Sequence, residues 1–317
     1  MIERSEIRRD YLLAQEVIIS PGRAVRPKNN KTAKAKIDQR TMTSCFFCPD
    51  KLDYNNVIEL LPANSSRKWQ VAAINNIYPA VELNNRQALG KQEVIIDTPQ
   101  HNQSLADVSV KDLALVLEMY AQRTRALSKQ SPLDYILCFK NYGPEAGASL
   151  EHSHSQVFAT KVLPLAIRAE LSAARRYRRK TGHCPHCDMI IKEIAAVERL
   201  IWQDQNAVAI APYASRFSYE AWLLPRRHQD NIGQTSRVEL LSLASGLSLV
   251  LKHLQFLGLA YNICLHQVIS ATEQHFIIKI QPRGNIWAGV EIGSGLVINS
   301  MPPEQAADFY RSNLSNS

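Results

Sequence analysis

The stretch "NYGPEAGASLEHSHSQVFAT", residues 141–160, joins a glycine-rich turn to a segment that carries two histidines and a glutamine. β-branched and aromatic residues predict strands over 134–141 and 153–160, on either side of this turn. Alternate residues of a strand face the same side, so His152, His154 and Gln156 are expected on one face. Glycine also lets backbone N–H groups approach an anion closely. The stretch therefore predicts a chemical site built on a sheet.

Further elements around this stretch occur twice in the same order. The first half adds strands at 15–20, 68–76 and 92–98 and a helix over 107–129; the second half has strands at 198–203, 206–211, 218–224, 261–269 and 274–281, a helix over 236–257 and a closing helix over 302–314. A basic helix over about 163–180 lies between them. This order predicts an α+β fold of two pseudo-repeated halves, 1–165 and 166–317, each a mainly antiparallel sheet with packed helices.

Residues of the types that bind zinc repeat in step with the halves. The first set is Cys45, Cys48, His101 and His152, with gaps of 3, 53 and 51 residues, and the second is Cys184, Cys187, His228 and His275, with gaps of 3, 41 and 47. Thiolate and imidazole ligands suit tetrahedral Zn²⁺. "CPHC" could instead be a redox pair, although the thioredoxin-like context for one is missing. His183 and His186 are alternative ligands at the second set.

The composition is that of a globular protein whose positive charge favours anionic partners. The 317 residues carry a formal net charge of +8, much of it in the stretches 26–40 and 175–180, which are expected to be a linker and a solvated helix face. No secretory leader is expected, and the apolar stretch 240–260 is interrupted by Lys252 and His253, so no membrane partner is predicted. Four of six cysteines in CxxC pairs suit a reducing compartment, here the cytoplasm. Basic stripes interleaved with aromatic residues are missing, which argues against nucleic acid.

His154 is the candidate nucleophile. If His152 completes a metal site, His154 lies beside that site without being consumed by it. An imidazole with one nitrogen bonded to the backbone offers the other nitrogen for attack. Gln156, on the same face, could then hydrogen-bond a phosphoryl oxygen. The alternative is a purely structural histidine, which the H-x-H-x-Q pattern after a glycine-rich turn disfavours.

The stretch 141–156 resembles the active-site signature of the galactose-1-phosphate uridylyltransferase family, a branch of the histidine triad superfamily. The matching positions are Asn141, Gly147, Ser149, His152, His154 and Gln156. "CFFC" resembles the family's zinc-binding pair. The opening "RRDYLLAQEVIISPGRAVRP" resembles its first strand with phosphate-contacting arginines, here Arg23 and Arg26, and "NNIYPA" resembles its nucleoside-contacting segment with Asn76. The tail "AGVEIGSGLVINSMPPEQAA" resembles short bacterial and archaeal members, with hexose contacts expected from Glu291 and Asn299.

The resemblance implies histidine-triad-like halves and a double displacement. His154 would take a nucleotide from a nucleoside diphosphate sugar, release sugar 1-phosphate and pass the nucleotide on, as in a UDP-glucose:hexose-1-phosphate uridylyltransferase, with zinc bound and the chain a homodimer. The alternatives are a nucleoside diphosphate sugar phosphorylase of the ADP-glucose type, a dinucleotide hydrolase, or a non-catalytic zinc-stabilised nucleotide-binding protein.

Two departures from the family pattern bear on these alternatives. Ser153 stands where the family usually has Pro, and a serine there resembles the phosphorylase members. Ile277 stands where the family tends to keep a second histidine. His266 and Glu170 still match family metal positions.

Overall fold

One ten-stranded antiparallel sheet runs through both halves of the chain. The computed structural model describes residues 4–13, 15–24, 45–62, 68–130, 133–269 and 271–313, so Arg26 and the basic stretch 26–40 lie outside them. The strands are β1 Glu6–Arg9, β2 Glu16–Ile19, β3 Val57–Leu61, β4 Val71–Asn75, β5 Gly90–Ile96, β6 Tyr135–Tyr142, β7 His154–Thr160, β8 Leu200–Gln203, β9 Ala207–Ile210, β10 Ala221–Pro225, β11 Tyr261–His266, β12 Ile277–Pro282 and β13 Val297–Asn299. The helices are α1 Val110–Ser128, α2 Leu165–Thr181, α3 Pro185–Ala196, α4 Arg237–Phe256, α5 Gly289–Ser294 and α6 Pro303–Arg311.

The strand order shows the repeat. It is β3-β4-β5-β7-β6 for the first half and, continuing across the sheet, β11-β12-β10-β9-β8 for the second. Read from the outer edge inward, the second half is β8-β9-β10-β12-β11, which is the same order as in the first half. The equivalent strands β6 and β11 are neighbours at the centre of the sheet. The predicted α+β class and antiparallel halves are confirmed, but the halves share one sheet instead of having one each. The boundary at 165/166 stays a prediction.

The seam between the halves is the antiparallel pair β6–β11. It aligns Asn141 with Asn262 and Tyr142 with Tyr261. The two tyrosine rings stack with their centroids 4.7 Å apart, and Tyr261 is fully buried. The seam is therefore both hydrogen-bonded and packed, and it lies next to the glycine-rich turn that follows β6.

Two long helices cover one face of the sheet. α1 begins at Ser109, whose hydroxyl caps the Asp112 N–H, and α4 begins with a reciprocal capping box between Ser236 and Glu239. The two helices contact each other and share the largest apolar core with the sheet. Smaller apolar clusters form on other strand residues, including Ile74, Val94 and Ile96. In the described part of the chain, no helix is long and apolar enough to span a bilayer.

A second, three-stranded sheet is built from the two chain ends. β13 pairs in parallel with β2, and β2 pairs with β1 in antiparallel. Val17 and Ile19 of β2 pack on Ala214 of the second half. Arg8 of β1 bonds Glu304 of α6. This small sheet therefore ties the N-terminal segment to the second half of the chain.

Candidate active site and metal centres

The strand β7 presents His154 and Gln156 on the sheet face opposite the two long helices. Val157 of β7 lies in the helix-covered core, whereas His154 and Gln156 are only half-buried. They pair with Ile96 and Val94 of β5, which belong to the opposite-face cluster. His152 lies in a bend just before β7. The expectation of one shared face had treated His152 as if it followed the alternation of the strand. The alternation of β7 thus separates the reactive side from the packed side.

His154 is held as a neutral imidazole. Its Nδ1 lies 2.9 Å from the backbone oxygen of His152, a bond that places the proton on Nδ1. Burial lowers the pKa of His154, and the charge of Lys140 acts in the same direction. Within the described residues, Nε2 has no hydrogen-bond partner, so its lone pair is not engaged by the protein. This is the state that a nitrogen nucleophile requires.

The turn that carries the first CxxC pair packs on both histidines. The Phe47 ring lies with its centroid 5.3 Å from that of His154 and 6.0 Å from that of His152. Cys45 and Cys48 flank this ring in the same turn. The position of the turn therefore also fixes one wall beside His154.

A buried charged network lies against β7, and the sequence analysis missed it. The Lys140 ammonium donates to Asp97 Oδ2 at 2.8 Å, to Ser153 Oγ at 2.9 Å and to the His154 backbone oxygen at 3.0 Å. The hydroxyls of Ser153 and Ser155 also donate to Asp97. Lys140 and Asp97 are each only 2% exposed. A lysine directly after the apolar run "YILCF" of β6 was the signal available in the sequence.

All four predicted ligands of the first metal set come together. The Nδ1 of His152 lies 3.4 Å from Cys45 Sγ and 3.7 Å from Cys48 Sγ, and His101 Nδ1 lies 3.5 Å from Cys48 Sγ. A tetrahedral zinc ion separates its sulfur and nitrogen ligands by about 3.5 Å, given its usual bond lengths. Burial and the neighbouring Cys45 raise the pKa of Cys48 to about 11, so a cation is needed to hold these thiols as thiolates. The donor set fits zinc.

The second set repeats this geometry. Cys187 Sγ lies 3.4 Å from the Nδ1 atoms of both His228 and His275, and the four ligand atoms, including that of Cys184, lie within 4.8 Å of one another. His275 Nε2 bonds the Pro225 carbonyl, as His152 Nε2 bonds that of Thr98 in the first set. Such outer bonds orient metal-binding imidazoles.

Neither alternative ligand joins the second set. His183 is exposed and pairs with Asp188, while His186 packs beside His275. The imidazoles around Cys187 also favour the metal interpretation of "CPHC" over a redox pair.

The positions matching further family metal ligands form an ion cluster. Glu170 contacts His266, and the Lys279 ammonium lies 3.8 Å from the Glu170 carboxylate. Although burial opposes it, His266 and Lys279 lower the pKa of Glu170 to about 2. A built-in ammonium thus balances this carboxylate. Among the described residues, the groups with metal-binding geometry are the two Cys2His2 sets.

The glycine-rich turn is shaped by two left-handed glycines. Gly143 has φ +83° and Gly147 has φ +82°, on either side of a short 3-10 turn. Asn141 is held from the second half, because Asn262 Nδ2 donates to Asn141 Oδ1 at 2.8 Å and to the Ala146 carbonyl at 2.9 Å. Ser149 is exposed beyond this turn.

A cleft of about 380 Å³ lies beside the predicted nucleoside segment. Asn76, Pro79 and Gln92 are among its lining residues, and Asn76 Oδ1 accepts from the Tyr78 N–H. Gln92 bonds Gln156 at 2.8 Å, so one lining residue of the cleft contacts a residue on the face that carries His154. Asn76 therefore lies where a nucleoside contact was expected, although its role is still a prediction.

Three other predicted substrate residues lie in or next to the small sheet: Arg23 after β2, Glu291 in α5 and Asn299 in β13. Arg23 is exposed at the end of a short turn after β2. Despite its partial burial, Glu291 has a lowered pKa, to which the Ala288 N–H bond and Arg23 contribute. Asn299 is 1% exposed, and its amide donates to the backbone oxygens of Ser215 and Phe217. Contacts of these residues with substrate stay predictions, and for Asn299 a structural role is the one observed.

Fold and site together define a histidine-triad-type enzyme. Residues 1–164 match the family model described as the N-terminal domain of galactose-1-phosphate uridyl transferase. The chain belongs to the galactose-1-phosphate uridylyltransferase family, and the class of enzyme is a nucleotidyltransferase.

Relatives of two activities are similar to it. An ADP-glucose phosphorylase of Arabidopsis thaliana is 29% identical over 329 residues, covering 96% of this chain and 92% of that protein. A galactose-1-phosphate uridylyltransferase of Thermotoga maritima is 28% identical over 333 residues, covering 96% and 98%. A crystal structure of an ADP-glucose phosphorylase from Arabidopsis thaliana with bound ADP-glucose superposes with a TM-score of 0.84 at 27% identity, covering 98% of this chain and 99% of that one.

Proposed function

We propose that the enzyme transfers a nucleotide from a nucleoside diphosphate sugar through a covalent intermediate on His154. The observation that carries this proposal is the neutral imidazole, with Nδ1 bonded to the His152 carbonyl and Nε2 not engaged by any side chain or backbone group among the described residues. Nε2 attacks the α-phosphorus, a P–N bond forms, and the bond to the bridging oxygen breaks to release sugar 1-phosphate. An acceptor phosphate oxygen then attacks the same phosphorus and frees His154.

The surrounding residues suit the charge that develops on the phosphoryl group. Phosphoryl transfer depends mainly on positioning and on electrostatic stabilisation. Gln156 lies two residues from His154 on the same face and supplies amide hydrogens. Asn76 borders the cleft proposed for the nucleoside. In the turn at Gly143–Gly147, the N–H groups of Ala146 and Gly147 already donate to the carbonyls of Gly143 and Pro144. Arg23, Asn141, Ser149, Glu291 and Asn299 are proposed as further substrate contacts by family resemblance.

Zinc is the metal proposed for both Cys2His2 sets. Bound there, it would neutralise the two thiolates of each set and supply four bonds that hold each CxxC segment to the sheet. Cys45, Cys48, His101 and His152 would hold the first ion, and Cys184, Cys187, His228 and His275 the second. Its role is structural, since His154 itself is not a member of either set.

The proposed reaction is that of a UDP-glucose:hexose-1-phosphate uridylyltransferase, with a nucleotide sugar and a sugar 1-phosphate as ligands. An ADP-glucose phosphorylase, with inorganic phosphate as acceptor, is the second candidate. Ser153 and the similarity to the Arabidopsis enzyme favour it. A homodimer is part of the proposal by family resemblance, and a cytoplasmic location is part of it because CxxC cysteines suit a reducing compartment.

Intact-mass analysis tests the proposed intermediate. The zinc-loaded protein is incubated with UDP-glucose or ADP-glucose without acceptor, and a mass increase of one nucleotide is expected with the true donor. Acceptors are then added singly, and loss of the added mass identifies sugar 1-phosphate or inorganic phosphate as the acceptor. Labelled sugar 1-phosphate should also exchange into the donor, as ping-pong chemistry requires.

Three histidine variants separate the roles. His154→Ala should abolish the adduct with zinc content and fold retained, whereas His152→Ala should lower the zinc content first. His183→Ala, at the surface, is the matched control and should behave as the wild type. An adduct that persists in His154→Ala would remove the basis of the proposal.

A further inference from the structure

The carbonyl end of the Gln156 amide is already engaged. Gln92 of β5 contacts it, with Gln92 Nε2 and Gln156 Oε1 2.8 Å apart. Both side chains lie on the face that carries His154, because Val94 of β5 pairs with Gln156 and alternate residues share a side. A second glutamine is thus built into the predicted phosphoryl-binding face.

A backbone group fixes the direction of this pair. The Ala80 N–H lies 2.9 Å from Gln92 Oε1, and a backbone N–H can only donate. The oxygen of Gln92 must therefore face Ala80, which turns the Gln92 amide hydrogens to Gln156. Gln156 must in turn present its oxygen to Gln92. Each amide orientation follows from the one before it, starting from an atom whose role is unambiguous.

We infer that Gln92 is a positioning residue that holds the Gln156 amide hydrogens toward the reacting phosphoryl group. The inference rests on the proposed nucleotidyl transfer. Without Gln92, the Gln156 amide could rotate and present its oxygen to a negatively charged phosphoryl group, which repels it. Gln92 also borders the cleft with Asn76 and Pro79, and its backbone oxygen accepts from the Asn76 N–H at 3.2 Å. The nucleoside segment and the phosphoryl contact are therefore linked through one residue, by its backbone oxygen to Asn76 and by its side chain to Ala80 and Gln156.

Because Gln92 donates to the Gln156 oxygen, two substitutions of Gln92 should have different effects on the rate. Gln92→Ala removes the bond and leaves Gln156 free to rotate, so about a tenfold slower step is expected, the cost of one neutral hydrogen bond. Gln92→Glu offers only acceptors, which recruit the Gln156 amide hydrogens and turn its oxygen to the substrate. A loss of about 10²-fold is expected, comparable with removal of the Gln156 amide in Gln156→Ala.

A double-mutant cycle tests the inference. The rate of nucleotidyl-enzyme formation is measured in a single turnover at saturating donor for wild type, both Gln92 variants, Gln156→Ala and the two double variants. In the Gln156→Ala background, the two Gln92 variants should differ from each other by less than about threefold, because the group they orient is gone. Gln203→Glu, exposed on the distant edge strand β8, controls for added charge. Thermal unfolding and zinc content control for folding.

The outcomes are distinct. Near-equal losses from Gln92→Ala and Gln92→Glu, or a difference that persists without the Gln156 amide, would overturn the inference, because simple repulsion or loss of fold would then explain the data. Wild-type protein that forms no adduct with any donor would overturn the proposed function and this inference together. Adduct formation with an additive cycle would overturn the inference alone.

Discussion

Lys140→Met should destabilise the fold through the charge that it leaves behind. The ammonium is 2% exposed and bonds Asp97 Oδ2 at 2.8 Å. Methionine fills a similar volume, so the principal loss is electrostatic: a buried carboxylate without its cation. Removal of one partner from a buried ion pair costs about 3–5 kcal/mol. Ser153 and Ser155 still donate to Asp97, so we expect the lower end, about 3 kcal/mol.

Urea unfolding of the zinc-loaded protein measures this loss. With a urea dependence near 3 kcal/mol per molar, the midpoint should fall by about 1 M. Lys252→Met, exposed on α4, is the matched control and should change stability by less than about 0.5 kcal/mol. Adding Asp97→Asn to Lys140→Met removes the stranded charge and should recover most of the loss. A single-variant cost below about 1 kcal/mol, or no recovery in the double variant, would show that the pair does not act as reasoned.

The remaining predictions concern the metal sets and the start of α4. Cys48→Ser should lower the zinc stoichiometry by one and reduce stability, while Cys264→Ser, outside both sets, should keep full zinc. Mass spectrometry under native conditions measures the zinc content of the two variants, and urea unfolding measures their stability. Ser236→Ala should cost about 1 kcal/mol in urea unfolding, because it removes the hydroxyl that caps α4. The hydrogen bond from Arg227 lowers the pKa of Glu239 from its ordinary 4.5 to about 2, although burial opposes this shift. The ionised Glu239 therefore contributes its full stabilisation of the fold above pH 4.5, and this stabilisation is lost as the pH falls toward 2. Glu239→Gln should flatten that acid limb, and an unchanged limb would contradict the assignment.

The sequence predicted the repeat because local patterns carry it. Strand and helix periodicity located α1, α2, α4 and α6 and most strands to within a few residues. The CxxC and histidine spacings predicted sets that the structure brings together. Each of these signals lies within one segment or in the order of segments, which is why no knowledge of strand pairing was needed.

The pairing of strands that are distant in the sequence could not be predicted. The three-residue β13 is too short for a period to emerge, and edge strand β3 is mostly half-buried and shows no alternation. Helix α3 begins at Pro185 inside the CxxC motif, where the cysteines were the stronger signal. The seam β6–β11 depends on which strand edges meet, which periodicity does not encode. Lys140, Asp97 and Gln92 acquire partners only through the register of β5, β6 and β7, so their roles required the structure.

The seam also bears on how such a duplicated protein can evolve. The second half carries Ile277 in place of the second histidine of the family pattern, yet its Asn262 holds both Asn141 and the glycine-rich turn of the first half. A first half separated from its duplicate would expose the β6 edge as a template for aggregation and would lose that amide. The second half is thereby tied to the first through the β6–β11 edge and the Asn262 amide, whatever chemistry it performs itself.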